Sequence, residues 1–295
     1  PLDMDTLKQA DGFRAVARKF FQWCGSDPVF FTWGNSDIRV LDMNLCALNR
    51  CQTTLHLDNW QEQVDEIRNE AERLGCVFSQ SHPPYRRGRE GTFATAEEEA
   101  FFRAMSLRAL EITAMLGAKW AVIHPVMDVT ADINDVDAHV RYNQQMFARE
   151  AELAAKLGVG LAFENMFDGD QRRFGSTAED LIAIQDSFHS DLIGVCWDVG
   201  HANRMYRDQL KPIRRLGSRI KALHIDDNLG KDDLHLLPFE GNVPWEQVMH
   251  TLYDSGCEAD LIYEIRNNAN MPEALRDVTA RYCFEVGEYL LSLYR

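Results

Sequence analysis

Four apolar runs in the second half of the chain each deliver a residue able to bind a metal ion. LAFENM carries Glu164, VCWDVGH carries Asp198, KALHIDDN carries His224 and LIYEIR carries Glu264. Two glutamates, an aspartate and a histidine make a hard, oxygen-rich, anionic donor set of the kind a divalent cation takes. CVFSQSH and WAVIHPV extend the series toward the amino terminus with His82 and His124, and the six stand 42, 40, 34, 26 and 40 residues apart. Each alone has a plain reading: a strand-end histidine bonding a loop carbonyl, or a glutamate paired with Arg266 or Arg172. Six in step, each after a run too apolar to welcome a buried charge, point to one shared site. His201 follows Asp198 by three residues. Asp233 and His235, in KDDLH, read either as an additional metal or loop site or as a solvated charged stretch. Trp33, Trp120, Trp197 and Trp245 read as packing, although Trp197 adjoins a ligand. There is no GxGxxG, P-loop or GxSxG pattern, so no nucleotide cofactor and no serine nucleophile are indicated.

Apolar runs of this length with polar ends read as strands buried on both faces. They alternate with helical stretches at roughly the spacing of an eight-fold β/α barrel of about 250 residues, in which strand-end residues converge on one mouth. The α/β fold class expected is therefore a (β/α)8 TIM barrel, as a single domain over 1–295. Residues 1–37 form an irregular or helical amino-terminal part of open assignment. Helical spacing is read over 5–24, 60–74, 97–116, 141–157, 177–187, 210–216, 246–255 and 272–294, with Gly75, Gly117 and Gly158 as caps. Strands are read at 38–45, 76–82 and 120–126 and in the four runs above. The first strand is either PVFFTW or lies elsewhere. The loop 83–93, with Arg86, Arg87 and Arg89, reads as mobile or substrate-facing, and 229–245 as a long loop.

The 295 residues carry a net charge of −15, which opposes a phosphate backbone as routine partner. No nucleic acid is expected. Seven cysteines without a CxxC pair read as reduced thiols of a cytoplasmic protein. No signal-peptide pattern opens the chain, and no apolar run nears the roughly 18 residues of a membrane span. A homo-oligomer, dimer or tetramer, is expected.

SQSHPPY, VIHPV, FENM, WDVGHAN, HIDDNLGKDDLHLLPFEGNVPW and YEIR resemble the xylose-isomerase-like barrel superfamily, in its branch of sugar and sugar-phosphate isomerases and epimerases. Asp233, His235, Pro238, Gly241, Val243 and Trp245 are the most specific part, and the match runs from about Ile38 to the end. The resemblance implies one divalent ion (Mn²⁺, Mg²⁺, Co²⁺ or Zn²⁺) on Glu164, Asp198, His224 and Glu264. It also assigns proton transfer next to a bound carbonyl to Glu164 and Glu264. The substrate implied is a ketose, sugar phosphate or keto-polyol, with His82, His124, His201 and Arg266 as substrate contacts. Epimerisation, isomerisation and dehydration, the last by a lyase of the same superfamily, remain open among outcomes. The superfamily also holds apurinic-site endonucleases with three zinc ions. Their ligand positions match His82, His124, Glu164, Asp198, His201, His224, Asp233, His235 and Glu264, and this is the alternative reading. The chain's acidity speaks against it. Some ketose epimerases carry an arginine a few residues after the histidine matched by His224; DDNLGK has none there.

Overall fold

The computed structural model describes residues 58–73, 75, 77–85, 92–266 and 272–294. The expected helix 5–24, the strand 38–45, the PVFFTW run and Arg86, Arg87 and Arg89 lie outside the described residues. Among the described residues, six strands form one parallel sheet in sequence order: β1 (Gln80–Ser81), β2 (Trp120–Ile123), β3 (Gly160–Glu164), β4 (Ile193–Asp198), β5 (Ile220–Ile225) and β6 (Leu261–Tyr263). The helices are α1 (Trp60–Arg73), α2 (Ala96–Met115), α3 (Val136–Leu157), α4 (Ala178–Phe188), α5 (Val199–Met205), α6 (Leu210–Leu216), α7 (Trp245–Asp254) and α8 (Glu273–Leu293). This is the β/α order of a TIM barrel.

Most boundaries fall within a residue or two of those read from the sequence. Two depart further. The run 76–82 is a strand only over Gln80 and Ser81. The helix expected from 141 begins at Val136, because Asp135 caps it by accepting a hydrogen bond from the Ala138 N–H at 3.0 Å. Gly158 ends α3 at φ 71°, a left-handed conformation that costs other residues. The helix α5 was not foreseen. It starts directly after Asp198, whose Oδ1 accepts from the His201 N–H at 2.6 Å.

Side chains alternate along each strand. Val122, Ala162, Cys196 and Ala222, with Trp120, form a small inner cluster, separate from the large cluster of Leu161, Phe163, Val195, Trp197, Leu223 and Ile225 beneath the helices. Gln80 belongs to the inner side, because its Nε2 donates to the Leu223 carbonyl of β5 at 3.5 Å. Two residues beyond each inner residue stand His82, His124, Glu164, Asp198 and His224. The period of two therefore aims all of them into the barrel mouth. Past a register shift between Val195 and Cys196 in the β4–β5 pair, register at the strand ends moves between neighbours in even steps: Glu164 is level with Cys196, and Asp198 with His224, which is level with Ile262. Even steps keep the inward face inward.

The long loop between β5 and α7 is held by Asp227, which is fully buried. Its carboxylate accepts from the N–H groups of Asn228, Phe239 and Val243 and from Trp245 Nε1 at 2.8–3.1 Å. Gly241 leaves room for it, since a Cβ there would run into that carboxylate and the Asn228 carbonyl. Trp245 is thus core, as is Trp197, which is fully buried with its Nε1 donating to Gln209 at 3.4 Å. Asp227→Ala strands several buried donors, and chemical denaturation is expected to show a loss of about 3 kcal/mol or more.

Candidate metal centre

The six strand-end residues meet. His82 Nε2 and His124 Nε2 lie 3.3 and 3.1 Å from Glu164 Oε2. The other oxygen, Oε1, is 3.3 Å from His224 Nδ1 and 3.3 Å from His201 Nδ1. His224 Nδ1 is also 2.7 Å from Glu264 Oε2 and 3.8 Å from Asp198 Oδ2. Three donor groups result, each with its atoms within 4.8 Å of one another: His82, His124 and Glu164; Glu164, Asp198, His224 and Glu264; and Asp226, Asp233 and His235. Glu164 belongs to the first two. The second group is the set expected from the sequence. His82 and His124 stand beside Glu164 as a further donor group, in addition to the substrate role expected of them.

The residues fit a cation by their own hydrogen bonds. Asp198 spends Oδ1 on capping α5, while Oδ2 is buried without a hydrogen-bond partner. Its backbone is gripped by Asn165, whose Oδ1 accepts from the Asp198 N–H at 2.6 Å and whose Nδ2 donates to its carbonyl at 2.9 Å. Asp226 Oδ2 is buried and unpartnered as well, its other oxygen accepting from the Gly200 N–H at 3.0 Å. Three histidines are pinned through Nδ1 to backbone carbonyls: His82 to Pro83 at 3.0 Å, His201 to Asn165 at 2.8 Å and His235 to Glu264 at 2.8 Å. With Nδ1–H donating, each Nε2 is left for the site. The Nε2 atoms of His201 and His235 face Asp233 Oδ2 at 3.7 and 3.1 Å, and only a proton or a cation between such atoms makes the approach favourable.

The electrostatics follow from packing this many ionisable groups away from water. Burial raises the Asp198 carboxyl to about 7, since Glu164 and Glu264 add to it and His201 opposes it only in part. Burial likewise lifts Asp226 well above the carboxylate range, reinforced by Asp198, Glu264 and Asp233. Burial alone would raise Glu264 too, but His224 wins and holds it at about 2. Glu164 is driven well below its ordinary value in the same way, by His224 and His124. For His201 and His235 burial is outweighed by carboxylates, above all Asp198 and Asp233 respectively, and they rise to about 10 and about 9. Without a cation the site therefore fills with protons.

That filling sets a pH dependence. Asp198 moves from 3.8 to about 7, His201 from 6.5 to about 10 and His235 from 6.5 to about 9, so the folded metal-free chain holds more protons than the unfolded one across those ranges. Its stability falls as pH rises through them. Glu264, depressed from 4.5 to about 2, acts at the other end and removes stability as pH falls between those values. Thermal melts with a chelator present are expected to peak near pH 5 and decline toward pH 9. Melts with excess divalent cation are expected to lose that alkaline decline, because the cation displaces the same protons.

Of the remaining expected residues, Arg172 pairs with Asp180 at 2.7 Å, away from the centre. Arg266 is exposed beside it, with its Nη2 donating to the Asp233 carbonyl at 3.3 Å. Sequence reasoning missed Asp226 and Asn165. The first was findable: it stands two after His224 on the inward face of the same run.

The family model described as xylose isomerase-like TIM barrel matches residues 44–281. Among curated proteins the chain is 28% identical over 173 residues to uncharacterized protein y4fM of Sinorhizobium fredii, across 52% of this chain and 50% of that one. It is 23% identical over 233 residues to D-psicose 3-epimerase of Enterocloster bolteae, across 76% and 71%. The match spans about half the length of the first such relatives. Among solved structures, a D-tagatose 3-epimerase-like protein superposes with a TM-score of 0.63 at 22% identity, covering 79% of this chain and 84% of that one. With the strand order, the convergence of strand ends and the family model in agreement, this chain belongs to the xylose isomerase-like TIM barrel family.

Proposed function

We propose that the protein is a divalent-metal-dependent sugar isomerase or epimerase acting on a ketose, sugar phosphate or keto-polyol. One observation carries the reading: two glutamates held ionised, Glu164 from β3 and Glu264 from β6, flank His224 at 3.3 and 2.7 Å. Glu164, Asp198, His224 and Glu264 would hold the cation, which supplies Lewis acidity to a substrate carbonyl when bound. An ionised carboxylate is the form that accepts a proton, and the carbon next to a polarised carbonyl is the one that yields it. Glu164 ends β3 and Glu264 follows β6, with β4 and β5 between them, so they address the substrate from two sides. One removes the proton and the other returns it, which inverts the centre; return by the same group gives aldose–ketose isomerisation. His201, His124 and Arg266 would contact substrate hydroxyls. The sugar-epimerase names of several relatives and structural neighbours agree with this assignment.

The test is proton exchange. Ketoses and keto-inositols incubated with metal-loaded protein in D2O should gain deuterium next to the carbonyl, read by NMR. Absence of exchange across the panel would refute the proposal.

A second reading is favoured by one feature: Glu164 is shared by two donor groups, and a third adjoins them at Asp226, Asp233 and His235. That arrangement suits a trinuclear zinc endonuclease acting at apurinic sites. Elemental analysis separates the two, since about one ion per chain supports the isomerase and about three zinc ions with cleavage of abasic DNA the endonuclease. The proposal further takes the chain as one domain over 1–295, cytoplasmic and homo-oligomeric.

A further inference from the structure

The mouth of the site carries two arginines that take no part in the proposed proton transfer: Arg204, which has no role above, and Arg266, given above only a hydroxyl contact. In a chain of 46 acidic and 31 basic residues, a guanidinium near a carboxylate-rich centre would be expected to pair with an acid. Among the described residues, neither Arg204 nor Arg266 has a carboxylate partner. Both are tied to the backbone of the same loop. Arg204, in the last turn of α5, donates from Nε to the Lys231 carbonyl at 2.9 Å. Arg266, just after β6, donates from Nη2 to the Asp233 carbonyl at 3.3 Å. Those anchors are two residues apart, hence at most about 7 Å.

Arg204 is fixed further by its stacking. Its Cζ sits 3.6 Å over the centre of the Phe167 ring, and that ring meets the His201 ring at 4.8 Å between centroids. The guanidinium therefore stands one aromatic ring beyond His201. A substrate with its carbonyl end at Glu164 and Glu264 that extends past His201 would bring its far end to this guanidinium. Among the described residues, both Nη atoms of Arg204 and Nη1 of Arg266 have no hydrogen-bond partner. Three donor nitrogens held in planar forks match the three terminal oxygens of a phosphate monoester, whose greater charge also favours it over a carboxylate.

Resting on the isomerase reading, we infer that Arg204 and Arg266 form a phosphate subsite, and that the substrate is a phosphorylated sugar or polyol with its phosphate remote from the reacting carbonyl. Stacking on Phe167 and the carbonyl anchors preorganise the cations, so little side-chain freedom is lost on binding.

The test is equilibrium binding by calorimetry to the metal-loaded protein, with an unreactive hexitol, its terminal phosphate, the corresponding hexonate and inorganic phosphate. The phosphorylated hexitol is expected to bind about 10- to 100-fold more tightly than the hexitol, as charge-assisted hydrogen bonds allow. The hexonate is expected to fall between them. The ratio of phosphorylated to neutral affinity should collapse toward one in Arg204→Leu and Arg266→Leu. Arg204→Gln, which retains a donor for the Lys231 carbonyl, covers misfolding of the leucine variant and should lose the preference equally.

Equal affinity for hexitol and hexitol phosphate overturns the subsite and leaves the sugar reading standing. A preference that survives in Arg204→Gln and Arg266→Leu, or inorganic phosphate binding that those variants leave unchanged, places the anion on the cation instead and also overturns it. Failure of every polyol to bind overturns the subsite and the isomerase reading together.

Discussion

Glu164→Gln is expected to lower kcat for the proposed proton exchange by about 10³-fold or more, at the upper part of the range that a positioned acid or base supplies. Three losses coincide there. The amide accepts no proton, a negative charge leaves the cation's ligand set, and the residue common to two donor groups no longer bridges them. Kinetics with saturating divalent cation separate the first loss from the others, since restoring metal occupancy does not restore a base. The fold should survive, because the side chain lies at the end of β3 and not within the packed layer of Phe163 and Leu161. Near-UV circular dichroism checks this. Glu264→Gln is the companion, with a comparable fall. Full activity in Glu164→Gln would overturn its assignment as the base.

Removal of the cation is expected to cost nearly as much in stability. Glu164, Asp198 and Asp226 are almost wholly buried, and Glu264 lies close beside them. Carboxylates so placed repel one another unless protonated or bridged by positive charge. A cation present at a thousand times its dissociation constant stabilises the folded state by about 4 kcal/mol. For a chain of this size that is an increase of about 10 °C in Tm. Melting curves at pH 7.5 before and after exhaustive chelation measure it, with readdition of Mn²⁺ or Zn²⁺ as the control. An unchanged Tm would mean that no cation belongs between these carboxylates. The shift should widen with pH, because the proton Asp198 holds at pH 5 is gone at pH 9 and those on His235 and His201 are beginning to leave.

The residues at the strand ends were legible because most of them close a short, largely apolar run. In such a setting a glutamate, aspartate or histidine is conspicuous, and helix-length spacing between the runs announced the barrel. What stayed hidden depended on contacts across elements. That Glu164 gives one oxygen to His82 and His124 and the other to His201 and His224 follows from register, which spacing along the chain does not encode. Asp198 was read as a ligand but not as the cap of α5, since seven residues of VGHANRM carry too little periodicity to declare a helix. Asp227 looked like one more charge in HIDDN, and its four donors come from residues up to 18 positions away. Arg204 carries no pattern at all until Phe167 is placed beneath it.

The alternation of inner and outer side chains also determines which length changes this chain can absorb. Inserting one residue in β3 ahead of Glu164 would turn its carboxylate outward among Phe147, Phe188 and the other residues that pack on Phe163. Inserting two would return it inward but lift it by one layer, above the reach of His82 and His124. Insertions after the strand ends, as in the turn at 128–134, leave every inward position where it was. Drift in chain length is therefore confined to the loops around the mouth, where specificity can be rewritten while the donor atoms stay in place.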